Sequence, residues 1–277
     1  MKKHATVAKS VQSHDNISIY YEIDFIHNCK NYLIFLHGLG GDLTAWKNER
    51  DAFRALGYPT LALDLRGHGL SEHPHTEKAY HLDNFARDVL TIMEKEKVKK
   101  AVIVGHCFGG MIALTLEGKH PKTSDSLILV DTSYKAPSWG AVFAHHILLT
   151  KILNLLANHA PNVGSPGHTD YSKYIGSSDF NAYRIYHDLM NTSLRTYFLI
   201  CEQLTQYDAT TLLKKILIPT LVIEGGKDSI FPPHIAQELS DRLKTSHMEL
   251  IPNANHVLVI NNPKDVVKDI YKFLKKT

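Results

Sequence analysis

From residue 17 onward, short runs of β-branched or apolar residues alternate with longer segments whose apolar positions recur at helical spacing. That is the pattern of a mostly parallel sheet covered by helices on both faces. The predicted strands are residues 17–23, 32–37, 60–64, 101–105, 126–131, 220–224 and 247–251, and several are apolar throughout, as strands buried on both faces are. Between them, Leu82, Phe85, Val89, Ile92 and Met93 fall on one face of a helix, and Val266, Val267, Ile270, Phe273 and Leu274 fall on one face of the last helix. Asn262 stands at the N-cap of that last helix and Pro263 at its first position. The alternation fails between residues 134 and 212, where no period-two run occurs. Residues 138–159 read instead as an apolar-faced helix, followed by a loop rich in Gly, Ser and Pro and by two more helical stretches. The simplest account is a helical cap, residues 134–212, inserted into a core domain made of residues 1–133 and 213–277.

Composition narrows the classes of function. The chain of 277 residues is 44% apolar and 21% charged, ordinary for a folded protein in water. Its 31 basic and 28 acidic residues leave a net charge of +3 with only one short Lys-rich stretch, residues 95–100, so no nucleic-acid groove is expected. No stretch approaches the roughly 20 apolar residues that span a bilayer, and the first 11 residues carry Lys2, Lys3 and Lys9 without an apolar signal core. Cys29, Cys107 and Cys201 are too few and too far apart for a disulfide framework or a zinc pattern, which points to a reducing, cytoplasmic compartment. Although there are 18 histidines, pairs such as His73/His75 and His145/His146 lack a carboxylate at ligand spacing. Neither a metal nor another cofactor is expected.

The strongest chemical signal is Gly105-His106-Cys107-Phe108-Gly109-Gly110, directly after an apolar strand and directly before the helical run 111–119. Such a turn is so sharp that side chains at its glycine positions would collide, and the residue at its apex is left strained with its reactive atom exposed. That residue is Cys107. A thiol nucleophile needs a base within hydrogen-bond reach, and the base needs a carboxylate to fix its tautomer and stabilise its charged form. His256 and Asp228 are the candidates, in the chain order nucleophile, acid, base; Asp131, which ends a strand, is the rival acid. His68, Arg66 and His106 read as structural residues of turns and packing.

With these motifs the sequence resembles the α/β-hydrolase superfamily over roughly residues 15–275. His37-Gly38-Leu39-Gly40-Gly41 is similar to the family's oxyanion loop, and residues 64–71 (DLRGHGLS) to its next turn. Residues 221–228 (LVIEGGKD) resemble the strand and loop that present the acid, and Asn253-Ala254-Asn255-His256 the loop that presents the histidine. The resemblance implies an α/β-hydrolase fold with a cap and an oxyanion hole made by the backbone N–H groups of Leu39 and Phe108, one such donor being worth about 3 to 4 kcal/mol of barrier. Cysteine stands where most relatives carry serine, as it does in dienelactone hydrolases and polyhydroxyalkanoate synthases. The helix N-terminus and the imidazole beside it favour a thiolate. The expected activity is hydrolysis of a carboxylic ester, lactone or thioester of a small-molecule acyl substrate, by a monomer or small homo-oligomer. Acyl transfer, carbon-carbon bond hydrolysis and a non-catalytic ligand-binding role are the alternatives. Dehalogenase and epoxide hydrolase chemistry requires an aspartate where Cys107 stands. Seven of the thirteen tyrosines, Tyr134, Tyr171, Tyr174, Tyr183, Tyr186, Tyr197 and Tyr207, lie in the 134–212 segment and either line an acyl pocket or face outward.

Overall fold

The computed structural model describes residues 6–25, 32–136, 146–160 and 166–277. Lys2, Lys3, Cys29, His145 and residues 138–145 of the expected 138–159 helix lie outside the described residues. Eight strands form one sheet: β1 (Thr6–Gln12), β2 (Ser18–Asp24), β3 (Tyr32–Leu36), β4 (Thr60–Leu63), β5 (Ala101–His106), β6 (Ser124–Val130), β7 (Thr220–Gly225) and β8 (Ser246–Ile251). Their order is β1-β2-β4-β3-β5-β6-β7-β8. The pairs β1–β2 and β2–β4 are antiparallel. Every other pair is parallel. The helices are α1 (Lys47–Ala55), α2 (Leu82–Lys95), α3 (Phe108–Lys119), α4 (His146–His159), α5 (Ala182–Thr192), α6 (Leu194–Thr205), α7 (Thr210–Leu213), α8 (Pro233–Arg242), α9 (Leu258–Asn261) and α10 (Pro263–Leu274).

Seven strands stand within about two residues of their predicted positions; the central ones bury apolar residues on both faces, while β2 buries Ile19, Tyr21 and Ile23 on one face and β8 buries only Ile251. In β3 and β5, Ile34, Leu36, Ala101 and Ile103 pack in the core beneath α2, α3 and α8. Leu33, Phe35, Val102 and Val104 pack in the second core, beneath α1, α9 and α10. The eighth, β1, was not predicted. It is an antiparallel edge strand with five of its seven residues exposed, so it has no apolar face to betray it. Asn262 also differs from expectation: it occupies the N-cap position of α10, but its side chain makes no capping bond. Its backbone N–H instead closes α9 on the Leu258 carbonyl at 2.7 Å, and ψ of 39° keeps it out of the extended conformation that a side-chain cap needs.

Residues 134–212 supply no strand to the sheet among the described residues. Their only β pairing there is an isolated antiparallel bridge between Lys135 and Asp208 at the segment's two ends. The rest is α4, α5, α6 and a short 3-10 turn, Tyr171–Tyr174. Among the described residues no helix is long and apolar enough to cross a membrane.

Candidate active site

β5 runs directly into α3 through Cys107, whose φ of 51° and ψ of −114° depart from any relaxed L-residue conformation. The turn closes because Cys107 N–H donates to Val130 O at 2.9 Å and Cys107 O accepts from Gly110 N–H at 3.0 Å and from the Thr132 hydroxyl at 2.6 Å. Gly109 makes this packing possible: a Cβ there would sit 2.3 Å from the Leu36 carbonyl oxygen, inside van der Waals contact with the end of β3. The loop after β3 lies against the same turn, since a Cβ on Gly38 would come 3.3 Å from the Cys107 Cβ. Phe108 is the first residue of α3, so its N–H has no intrahelical acceptor.

The acid and histidine loops approach each other as closely. Gly226 N–H donates to Ile251 O at 2.9 Å and Lys227 N–H to Ala254 O at 2.8 Å, while a Cβ on Gly226 would fall 2.5 Å from Pro252 O. This contact brings His256 Nδ1 to 2.7 Å from Asp228 Oδ2. The other oxygen, Asp228 Oδ1, accepts from the backbone N–H groups of Ile230 at 2.6 Å and Phe231 at 2.8 Å. With Asp228 Oδ2 as the acceptor, Nδ1 carries the proton of this bond and Nε2 is turned away from Asp228. Burial works against the charged imidazole, but the negative charges of Cys107 and Asp228 outweigh it and hold His256 well above the usual histidine range. The structure therefore brings Cys107, His256 and Asp228 together at the C-terminal edge of the parallel strands, where open α/β sheets place their ligands. Asp131 does not take the histidine. Its Oδ1 accepts from Gly225 N–H at 2.8 Å and its Oδ2 has no hydrogen-bond partner.

His37, His68, His106 and Arg66 do structural work. Nε2 of His106 is 2.8 Å from the His256 carbonyl, an acceptor only, so His106 carries its proton there; burial, then the neighbouring His256, push it down to about 3. His37 Nε2 accepts from Leu65 N–H at 3.0 Å and His68 Nε2 from Gly40 N–H at 3.2 Å, which ties the two glycine-rich loops together. Buried Arg66 is held by Asp88 at 2.6 and 2.7 Å and by Asp15 at 2.8 and 3.0 Å. The same reasoning applies to the clusters of a size to hold a cation. Asp42 and Asp64 already accept backbone N–H groups, from Thr44 and Thr169 and from Leu43 and Leu70 respectively, while Asp15 and Asp88 are taken by Arg66.

One residue escaped the sequence reading. Asp179, from the segment between β6 and β7, accepts from His256 N–H through Oδ1 at 2.9 Å, and through Oδ2 from Ser229 N–H at 3.1 Å and Ser229 Oγ at 2.5 Å. It thus spans the acid and histidine loops. An Asp in a polar loop some 50 and 77 residues from its partners has no motif to mark it. The tyrosines divide: Tyr134, Tyr171, Tyr174 and Tyr207 are buried, while Tyr183 and Tyr186 face outward.

A family profile described as the alpha/beta hydrolase fold matches residues 31–263. The chain belongs to that family. It is similar to human Protein ABHD8, 25% identical over 246 residues, which are 87% of this chain and 54% of that protein; the chain spans about half the length of this relative. Among solved structures it superposes on the enol-lactonase from Burkholderia xenovorans LB400 with a TM-score of 0.76 at 23% identity, over 96% of this chain and 100% of the other. An esterase from Exiguobacterium antarcticum superposes with a TM-score of 0.74 at 18% identity, over 97% and 100%. At these identities the superpositions speak for the fold.

Proposed function

We propose that this chain hydrolyses a carboxylic ester, lactone or thioester through an acyl group carried on Cys107. The observation that carries this reading is one imidazole, His256, with Asp228 on Nδ1 at 2.7 Å and the strained elbow residue Cys107 as its other hydrogen-bond neighbour. In the first half-reaction the Cys107 thiol gives its proton to His256 Nε2 as Sγ attacks the carbonyl carbon, and the N–H groups of Leu39 and Phe108 hold the oxyanion. The bond to the leaving group breaks as His256 delivers its proton to that group. In the second half His256 takes a proton from water, the hydroxide attacks the acyl carbon, the C–S bond breaks, and the proton returns to sulfur. Asp228 keeps the imidazole in one tautomer throughout. The named activities of the enol-lactonase and the esterase break bonds of this class and support the reading.

The helices of residues 134–212 act in this reading as the cap over a core of residues 1–133 and 213–277. A cavity of about 100 Å3 lies beside Phe231, walled by Tyr134, Ile230 and Ile235 together with Ser133, Lys135 and Glu238. The Phe231 ring lies 5.6 Å from that of His256. The test is a panel of p-nitrophenyl esters followed by rapid quenching and peptide mass analysis. One acyl group on the peptide containing Cys107 is expected. Turnover that survives iodoacetamide labelling of Cys107 would overturn the assignment.

A further inference from the structure

Three carboxyl groups meet beneath the active site. Asp131, Glu224 and Asp228 are all buried, and their ligand-type oxygens lie within 4.8 Å of one another. They come from three elements: Asp131 from the end of β6, Glu224 from β7 and Asp228 from the loop after it. Period-two alternation along β7 puts Glu224 on the same sheet face as Val222, which packs in the α2-α3-α8 core. Glu224 has no exposed surface, and neither of its side-chain oxygens has a hydrogen-bond partner. A carboxylate buried this way would forfeit its hydration for nothing.

Hydrogen-bond donors rank the three groups. Asp228 accepts from Ile230 N–H, Phe231 N–H and His256 Nδ1; Asp131 accepts from Gly225 N–H; Glu224 accepts from none. Among the described residues, His256 is the cationic neighbour of the cluster, with His106 beside Asp131 held neutral by burial, so three negative charges are not balanced there. Where carboxyl groups share a site, the proton settles on the one least able to support charge. We propose that Glu224 is a positioning residue for Asp228 and His256: it stays a neutral carboxylic acid, holds a proton within the cluster, and so concentrates the negative charge on Asp228. Burial, then the charges of Asp131 and Asp228, push Glu224 up to about 11, and burial likewise raises Asp131. Asp131, Asp228 and His256 bear on Glu224 directly, and His106 and Cys107 border the same cluster through Asp131. Asp131 Oδ2, in the same group, also lacks a partner.

The positioning role rests on the Asp228–His256 pair acting as proposed above, but the protonation state can be read without catalysis. Infrared difference spectra of the intact protein at pH 7, wild type minus Glu224→Gln, should show the C=O stretch of a protonated carboxylic acid; its absence overturns the proposal whatever Cys107 does. With p-nitrophenyl butyrate, E224Q keeps a neutral side chain with an N–H donor, so kcat/KM should stay within about threefold of wild type and the acidic limb of the kcat profile should not move. E224L removes the donor, and kcat should fall about tenfold at unchanged KM with the acidic limb moved to higher pH, because the charge on Asp228 is less shielded. A downward move of the limb in E224Q would mean that an ionised Glu224 had been removed, and would refute the proposal. So would an E224L variant with the wild-type kcat and profile. Should E224L fail to fold, the infrared band and E224Q still decide. An active Cys107→Ala variant would instead overturn the reading of the nucleophile and leave the infrared result standing.

Discussion

At the elbow, backbone lies against backbone at distances that admit no Cβ, whereas the helices between β6 and β7 meet the core through side chains, both apolar ones such as Leu199 and Ile200 and hydrogen-bonding ones. The Cys107 turn is wedged between the ends of β3 and β6, with Gly109 against the Leu36 carbonyl and Gly110 against Thr132. The inserted segment is tied to the core by Thr169 N–H to Asp42 Oδ2 at 2.8 Å, His168 Nε2 to Asp64 Oδ2 at 2.8 Å, and Thr196 Oγ1 to Tyr80 Oη at 3.0 Å. Its surface differs as well. Ile152, Leu155, Leu156, Ile175, Phe180, Tyr183 and Tyr186 are exposed there, more large apolar residues than the rest of the described chain exposes. Steric exclusion leaves one geometry at the elbow; side-chain contacts leave the helices of residues 134–212 freer to vary. The two regions are therefore held by different means, and substitutions should separate them.

The largest separation is expected at Cys107. Cys107→Ala should lower kcat at least about 10³-fold, since removing a nucleophile leaves only the binding and oxyanion contributions. The urea midpoint should move little, because the side chain is only partly buried. Cys107→Ser sharpens the result: a pocket tuned to a thiolate loses activity, and one shaped around oxygen gains it. Next comes Gly109→Ala, whose new Cβ would meet the Leu36 carbonyl at 2.3 Å and should cost about 3 kcal/mol of stability, read from urea unfolding at constant m-value. Gly57→Ala is the control. At Gly57 φ is positive, +88°, as it is not at Gly109, but nothing lies within 4 Å, so a cost of only about 1 kcal/mol, from the backbone alone, is expected. Equal costs at the two positions would break the steric account of the elbow.

How much of this could be read beforehand follows the same division. Strands buried on both faces declare themselves by composition alone, and the elbow, the Gly225-Gly226 approach and the His256 loop declare themselves because close backbone contact demands particular small residues at particular places. What stayed hidden is polar. β1 shows no apolar periodicity because its residues face water. Asp179 and His168 act over long sequence separations through single hydrogen bonds, and Glu224 looks like one more residue of a strand until three elements bring three carboxyl groups together. Asn262 shows the limit of local signals: its type is right for a cap, but α9 ends on the same residue and takes its backbone.

Asp179 is the point where the two regions meet, and its loss should affect catalysis more than folding. Asp179→Ala leaves His256 N–H, Ser229 N–H and Ser229 Oγ without their acceptor. Losing that positioning should lower kcat/KM about tenfold, equivalent to about 1.4 kcal/mol, while the urea midpoint shifts by less than about 1 kcal/mol. Asp179→Asn keeps an acceptor oxygen and should restore most of the activity. A variant that loses stability but not turnover would place Asp179 with the polar ties of the overlying helices.

The smallest effect is expected where the segment meets the turn after β4. His168 is opposed by burial, but its bond to Asp64 and the charges of Asp64, Asp42 and Glu22 raise it above its usual value. A histidine raised on folding binds its proton more tightly in the native state, so its contribution is fully present below the unfolded value of about 6.5 and disappears as the pH rises through the folded value. His168→Gln should therefore be less stable than wild type by about 1 kcal/mol at pH 5.5. The difference should shrink steadily on the alkaline side, until a neutral side chain in either protein can offer Asp64 only an ordinary hydrogen bond. Urea unfolding of both proteins from pH 5 to 9 measures it. A gap that stayed constant over that range would mean that His168 fills space without pairing as a cation. A gap that widened toward high pH would reverse the sign and remove the ion pair from among the ties that hold the overlying helices.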